Sequence, residues 1–181
     1  MARAIKNDLF RESSNPIRAH AFDIIRRKES AFVDLALATR RLANSWRNFD
    51  VGAVGVGLRP ILRPGSNPWF VRFAANTKAR VGEKYCGEQR IMDVALRKAI
   101  SEILWFYVAG EPQLDHGSGK SSETLTPCER CRWRMRVLMQ DDTSPIIQPD
   151  MQILSINCKT PTIRESWTVR TLHEFHEEHL E

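Results

Sequence analysis

The sequence predicts an α/β protein, layered around a mixed sheet. Two observations carry this prediction. Strand-like and helix-like segments alternate after a leading hairpin, the order of a sheet with helices packed on it. A continuous apolar run, Ile103–Val108, suits a strand buried on both faces, which single-sided sheets do not need. At 181 residues the chain can bury a full core as one domain without disulfide support.

The elements follow in order. Residues 1–29 hold Arg3, Lys6, Arg11, Arg18, Arg26, Arg27 and Lys28 against Asp8, Glu12, Asp23 and Glu29. Acids interrupt the basic run and aromatics are sparse, so a solvated, partly helical extension is preferred to a nucleic-acid arm. Ser30 is placed to cap a helix over 31–45, with Phe32, Leu35, Ala36, Leu42, Ala43 and Trp46 near the 3.6 period. Val51–Leu58 reads as a strand whose three glycines signal close backbone packing. Arg59–Pro68 is a proline-flanked turn into a second strand, Trp69–Ala75. Glu88–Glu102 predicts a helix with Ile91, Val94, Ala95, Ala99 and Ile103 on one face. Gly110–Thr126 is polar and turn-rich. Cys128–Gln140 returns to helix, Ile146–Ile147 and Met151–Ile156 are strand candidates, and Thr168–His179 predicts a last amphipathic helix with Val169, Leu172 and Phe175 inward. This divides the chain into an extension, 1–29, and a domain, 30–181.

Composition narrows the function. Hydrophobic residues make up 42% and charged residues 27%, as in ordinary globular proteins. No apolar run is long enough to span a bilayer and no secretory leader is evident, so a cytoplasmic protein without membrane partners is expected. Four cysteines are too few for a disulfide scaffold, which points to metal binding or catalysis.

Two segments carry the chemistry. Cys86-Gly87-Glu88 opens one predicted helix, and Pro127-Cys128-Glu129-Arg130-Cys131 opens the next. Together they spell C-x-E…P-C-x-x-C, the three-cysteine form of the zinc-deaminase signature. Cys128 and Cys131, three apart, share a helix face, and helix starts favour thiolates. Pro127 suits a first helical turn because it lacks an N–H. Three thiolates leave a fourth tetrahedral position open, the mark of a catalytic zinc. Glu88 lies close to such a metal without ligating it. Cys158 has no partner motif and reads as a structural thiol.

Over about residues 31–181 the chain resembles the small, homotetrameric cytidine deaminase family, which includes the blasticidin-type deaminases. Asn48-Phe49-Asp50-Val51-Gly52-Ala53 resembles its N-F-x-V-G-A, Ala75-Asn76 its ribose-binding asparagine, Cys86-Gly87-Glu88 its C-A-E, and Pro127–Arg132 its P-C-G-x-C-R. The resemblance implies a three-layer fold, a mixed sheet of about five strands with helices on both faces. It implies one zinc per chain on Cys86, Cys128 and Cys131, with Glu88 carrying a proton from water to ring N3 and to the departing ammonia. It further implies that the Gly87 amide and the Thr126 carbonyl hold the base, that Phe49 packs on the pyrimidine, and that Asn76 binds the sugar. The implied substrate is free cytidine or deoxycytidine, in pyrimidine salvage, on a homotetramer. Three features depart from the family: Lys78 stands where a ribose-binding glutamate is usual, Gln89 follows the C-x-E where arginine is common, and the loop 110–126 is longer. Other readings keep the chemistry but change the substrate to a nucleotide, a cytosine-containing natural product or single-stranded nucleic acid. A non-catalytic binding module is disfavoured by the intact Glu88. Gly117–Ser121 lacks the first glycine of a phosphate-binding loop, and His173, His176 and His179 read as a solvated helix face.

Overall fold

The structure, a computed structural model, describes residues 16–44, 50–60, 65–78, 84–111, 127–140 and 146–171. The chain divides into two compact units, Met1–Ala31 and Phe32–Glu181. The first contains helix α1, Pro16–Arg27. Proline suits its first position, Arg26 and Arg27 complement the dipole at its end, and the Arg18 guanidinium lies 5.0 Å from the Phe22 ring centroid.

Helix α2 is Glu29–Arg40 rather than 31–45. It starts before Ser30, which lies inside the helix instead of capping it. It stops at Arg40 because tight i→i+3 bonds take over, from the amides of Arg41, Leu42 and Ala43 to Ala38, Thr39 and Arg40. That turn brings the Asn44 amide to the Asn76 carbonyl, at 2.9 Å. It also leaves Leu42 exposed, off the predicted stripe. Trp46 lies outside the described residues.

The sheet has five strands in the order β2-β1-β5-β6-β7. They are β1 (Gly52–Leu58), β2 (Trp69–Ala75), β5 (Glu102–Gly110), β6 (Ile147–Asn157) and β7 (Arg164–Thr168); Thr77–Lys78 and Lys84–Tyr85 form a small separate pair, β3 and β4. The predicted hairpin is present: β1 pairs antiparallel with β2, Gly52 opposite Ala75 and Leu58 opposite Trp69. β1 and β5 are antiparallel, β5 and β6 parallel, β6 and β7 antiparallel, so the sheet is mixed. All nine residues of β5 are buried, as its apolar run requires. The two strand candidates near 146 and 151 are one strand, whose register shifts near Pro149, where an amide donor is missing. β7, sequence RESWT, is an edge strand that the sequence did not announce. Helix follows only at 169–171, and residues 172–181 lie outside the described residues.

Helices cover both faces of β1. A Cβ on Gly52 would overlap the Ala36 carbonyl and Arg40 amide of α2, and one on Gly55 would come within 2.6 Å of Ile91. Ile91 belongs to helix α3, Gly87–Arg97, which lies on the face opposite α2. The glycines are therefore spacers for two helices. α3 packs on β1 and β2, and helix α4, Glu129–Met139, on β6. Ile91, Ala95, Phe106, Val108, Met135 and Ile153 form the core between them. Apart from Ala95, each of these buried side chains contributes about 1.5–3 kcal/mol.

α3 ends at Arg97, five residues before the predicted Glu102. Ala99 adopts φ +45°, its amide bonds Leu96 O at 3.0 Å, and the Ile100 amide bonds Ala95 O at 3.2 Å. This is a Schellman cap, with alanine in the left-handed position that glycine usually fills. It turns the chain directly into β5.

Candidate metal centre and active site

Both C-x-E and P-C-x-x-C segments lie at helix starts. Cys86 is the N-cap of α3 (φ −72°, ψ 149°) and Cys128 the N-cap of α4 (φ −62°, ψ 157°). Neither side chain makes a cap hydrogen bond, so both sulfurs remain available. Cys131 sits three residues into α4, where an N-cap side chain ordinarily reaches. Pro127 therefore precedes the cap and is not in the first turn as expected. Its carbonyl accepts from Arg132 Nη1 at 2.8 Å.

The three sulfurs converge. Cys128 Sγ lies 3.4 Å from both Cys86 Sγ and Cys131 Sγ, and all three lie within 4.8 Å of one another. Cys131 is buried, Cys86 half-buried and Cys128 exposed. Such a group fits a soft metal ion, zinc among them, and three thiolates leave a coordination position open. Cys128 is drawn down to about 2 by hydrogen bonding with Cys131 and Cys86. Cys86 is pushed up to about 12, chiefly by its bond to Cys128, and Cys131 rises for the same reason.

Glu88 is buried, 3% exposed. Burial, and then the nearby Cys128 charge, push its carboxyl up to about 7, partly offset by its own amide and the Cys131 thiol. A carboxyl held near neutrality can both accept and return a proton.

Gly87 fits closely between these groups and the sheet. A Cβ there would overlap the Ala74 carbonyl and come 3.1 Å from Ala53 Cβ. Its amide donates to Asn76 Oδ1 at 2.9 Å, and the Asn76 amide donates to Val51 O at 3.0 Å. Asn76 thus ties the end of β2 to the start of α3, a contact that the sequence did not suggest. Of the other expected site residues, Phe49 and Thr126 lie outside the described residues, and only the backbone of Lys78 is described. Gly117–Ser121 and the three late histidines also lie outside them. Arg90 Nη1 donates to Ala75 O at 3.3 Å. Trp105 is buried and Trp133 is 61% exposed. No helix among the described residues is long and apolar enough to cross a membrane.

By sequence, the chain matches no family model and no curated protein. By structure it is similar to a cytidine deaminase from Burkholderia pseudomallei, with a TM-score of 0.53 and 18% identity over 79% of this chain and 94% of that one. A cytidine deaminase from Mycobacterium leprae aligns with 19% identity over 80% of this chain and 95% of that one, at a TM-score of 0.49. The five-stranded mixed sheet and its covering helices are the cytidine deaminase fold.

Proposed function

We propose that the protein is a zinc-dependent hydrolase that converts a cytosine moiety to uracil with release of ammonia, on free cytidine or deoxycytidine. One observation carries this reading: a buried carboxyl, Glu88, poised near pH 7 against three converging cysteine sulfurs. Cys86, Cys128 and Cys131 would hold zinc, which when bound supplies the Lewis acidity that brings the pKa of water toward neutrality. Glu88 takes a proton as water adds to C4, delivers it to ring N3, and assists the departure of the amino group as ammonia. Water and cytosine then balance uracil and ammonia. Burial of Glu88 keeps its carboxyl from bulk solvent between these transfers. The Thr126 carbonyl orients the base, Phe49 packs on it, and Asn76 and Lys78 face the sugar; the Gly87 amide, expected to hold the base, is instead given to Asn76 Oδ1 and positions that asparagine. Residues 30–181 form the catalytic domain and 1–29 an extension. The protein acts in the cytoplasm as a homotetramer, which light scattering tests.

The deciding experiment is ammonia release by zinc-loaded protein from cytidine, deoxycytidine, their phosphates, blasticidin S, adenosine, and single-stranded DNA and RNA. Turnover of cytidine or deoxycytidine above the rest supports the reading. Turnover confined to adenosine, or none at all, removes it.

A further inference from the structure

A cavity of about 400 Å³ runs between β2 and the flank of α3, lined among others by Arg72, Ala74, Thr77, Arg90, Asp93 and Arg97. Its charge is lopsided: three guanidinium groups face one carboxylate. Asp93 is already shared, since its Oδ1 accepts from Arg134 Nη2 at 3.4 Å. Arg90 uses one nitrogen on the Ala75 carbonyl, at 3.3 Å. Arg72 and Arg97 have no hydrogen-bond or ion-pair partner among the described residues. Three like charges around one concavity give it a positive potential that favours an anion.

The local structure explains why they gather. Arg72 stands opposite Gly55 in the ladder, and Gly55 lies against Ile91 of α3. Arg72 is therefore on the sheet face that carries α3. Arg90, Asp93, Val94 and Arg97 follow at i, i+3, i+4 and i+7, one flank of α3 over about 10 Å. β2 is an edge strand, so its outer backbone donors are not used by the sheet. All three cations are arginines, whose planar forks match phosphate oxygens in pairs. The end of β2 links the cavity to the metal centre: the Ala75 carbonyl accepts from Arg90, and the next residue, Asn76, accepts from the Gly87 amide.

We propose that this cavity binds the phosphate groups of a nucleotide. The volume lies within the usual range for a small-ligand pocket. The phosphates belong either to the cytosine substrate or to a second nucleotide, and the test separates these sources.

Zinc-loaded, full-length protein is titrated calorimetrically with ADP, which offers phosphates but no cytosine, at fixed ionic strength. Arg72→Gln/Arg97→Gln is expected to weaken ADP binding tenfold or more with little change in Tm, because both side chains are exposed. Arg26→Gln/Arg27→Gln, an equal loss of charge on α1, is expected to leave it unchanged. No ADP binding by the wild type, or equal binding by Arg72→Gln/Arg97→Gln, overturns the proposal, as does an equal loss in the α1 variant. A second arm compares KM for cytidine and its 5′-diphosphate. If Arg72→Gln/Arg97→Gln raises only the diphosphate KM, the phosphate is the substrate's; if ADP binds without affecting either KM, it belongs to a separate nucleotide. Only this second arm rests on the deaminase reading, so failure of that reading and failure of the cavity are distinguishable.

Discussion

α3 and α4 begin in the same way and lead into different surroundings. Each is capped by an extended cysteine whose sulfur makes no cap bond. After Cys86 come Gly87 and Glu88, both buried, with Gly87 pressed onto Ala74 and Ala53. After Cys128 come Glu129 and Arg130, both exposed. The two starts carry glutamates with opposite fates: burial lifts Glu88 to about 7, while Glu129 stands in solvent. Capping geometry is enough to present a sulfur. A proton carrier needs, in addition, a sheet close enough to exclude water.

The first way to break this comparison is to remove the sulfurs. Cys128→Ala/Cys131→Ala should abolish zinc binding, while Cys158→Ser should retain about one zinc per chain on the three-thiolate reading. Elemental analysis decides, and full retention in the double variant would overturn the site. Next in size is the contrast between glutamates. Glu88→Gln should lower cytidine turnover about a thousandfold or more, since a proton carrier is lost, and Glu129→Gln should change it less than about twofold. Equal losses would show that burial does not distinguish them.

Burial of Glu88 also has a pH signature in metal-free protein. Below pH 4.5 the carboxyl is protonated in both folded and unfolded chains. Between 4.5 and about 7 the unfolded chain releases its proton first, so folding stability falls. Above about 7 the loss levels off, at about 3 kcal/mol. Relative to Glu88→Gln, the wild type should therefore lose about that much between pH 4.5 and 8 in urea unfolding. A constant difference would mean that Glu88 ionises as freely as in water.

Smaller effects concern backbone fit. Gly87→Ala should cost about 1–3 kcal/mol, because its methyl has no room beneath Ala74, whereas Glu129→Ala should stay within about 0.5 kcal/mol. Smallest is Ala99→Gly at the other end of α3. It should raise stability by about 0.5–1 kcal/mol by relieving the left-handed alanine. A lower Tm in that variant would mean that the Ala99 methyl contributes packing that outweighs its strain.

The hairpin, the buried β5 and the cysteine pairs were legible because each depends on local chemistry: a proline-rich turn, an apolar run and a spaced motif. Helix ends were less so. Nothing in Lys98-Ala99-Ile100 signals a stop, since the usual glycine is missing and the cap is made by backbone bonds. β7 lacks an apolar alternation because it pairs on one side only, so RESWT reads like a loop. At the site, residue types and order announced Cys86, Glu88, Cys128 and Cys131. The Asn76–Gly87 bond and the arginine cavity join segments distant in the chain, and no sequence period links them.

The meeting of Cys86 and Cys128 has a further consequence for chain topology. These sulfurs are 42 residues apart, and the loop between them contains the whole of β5. Keeping such ends together in an unfolded chain costs on the order of 3–4 kcal/mol in entropy. A cation held by these thiolates therefore acts as a cross-link around the central strand, joining the hairpin side of the sheet to the crossover that carries α4. Chelation would do more than silence chemistry: it would release a constraint on the unfolded chain, while the β1–β5 and β5–β6 ladders would still join the sheet.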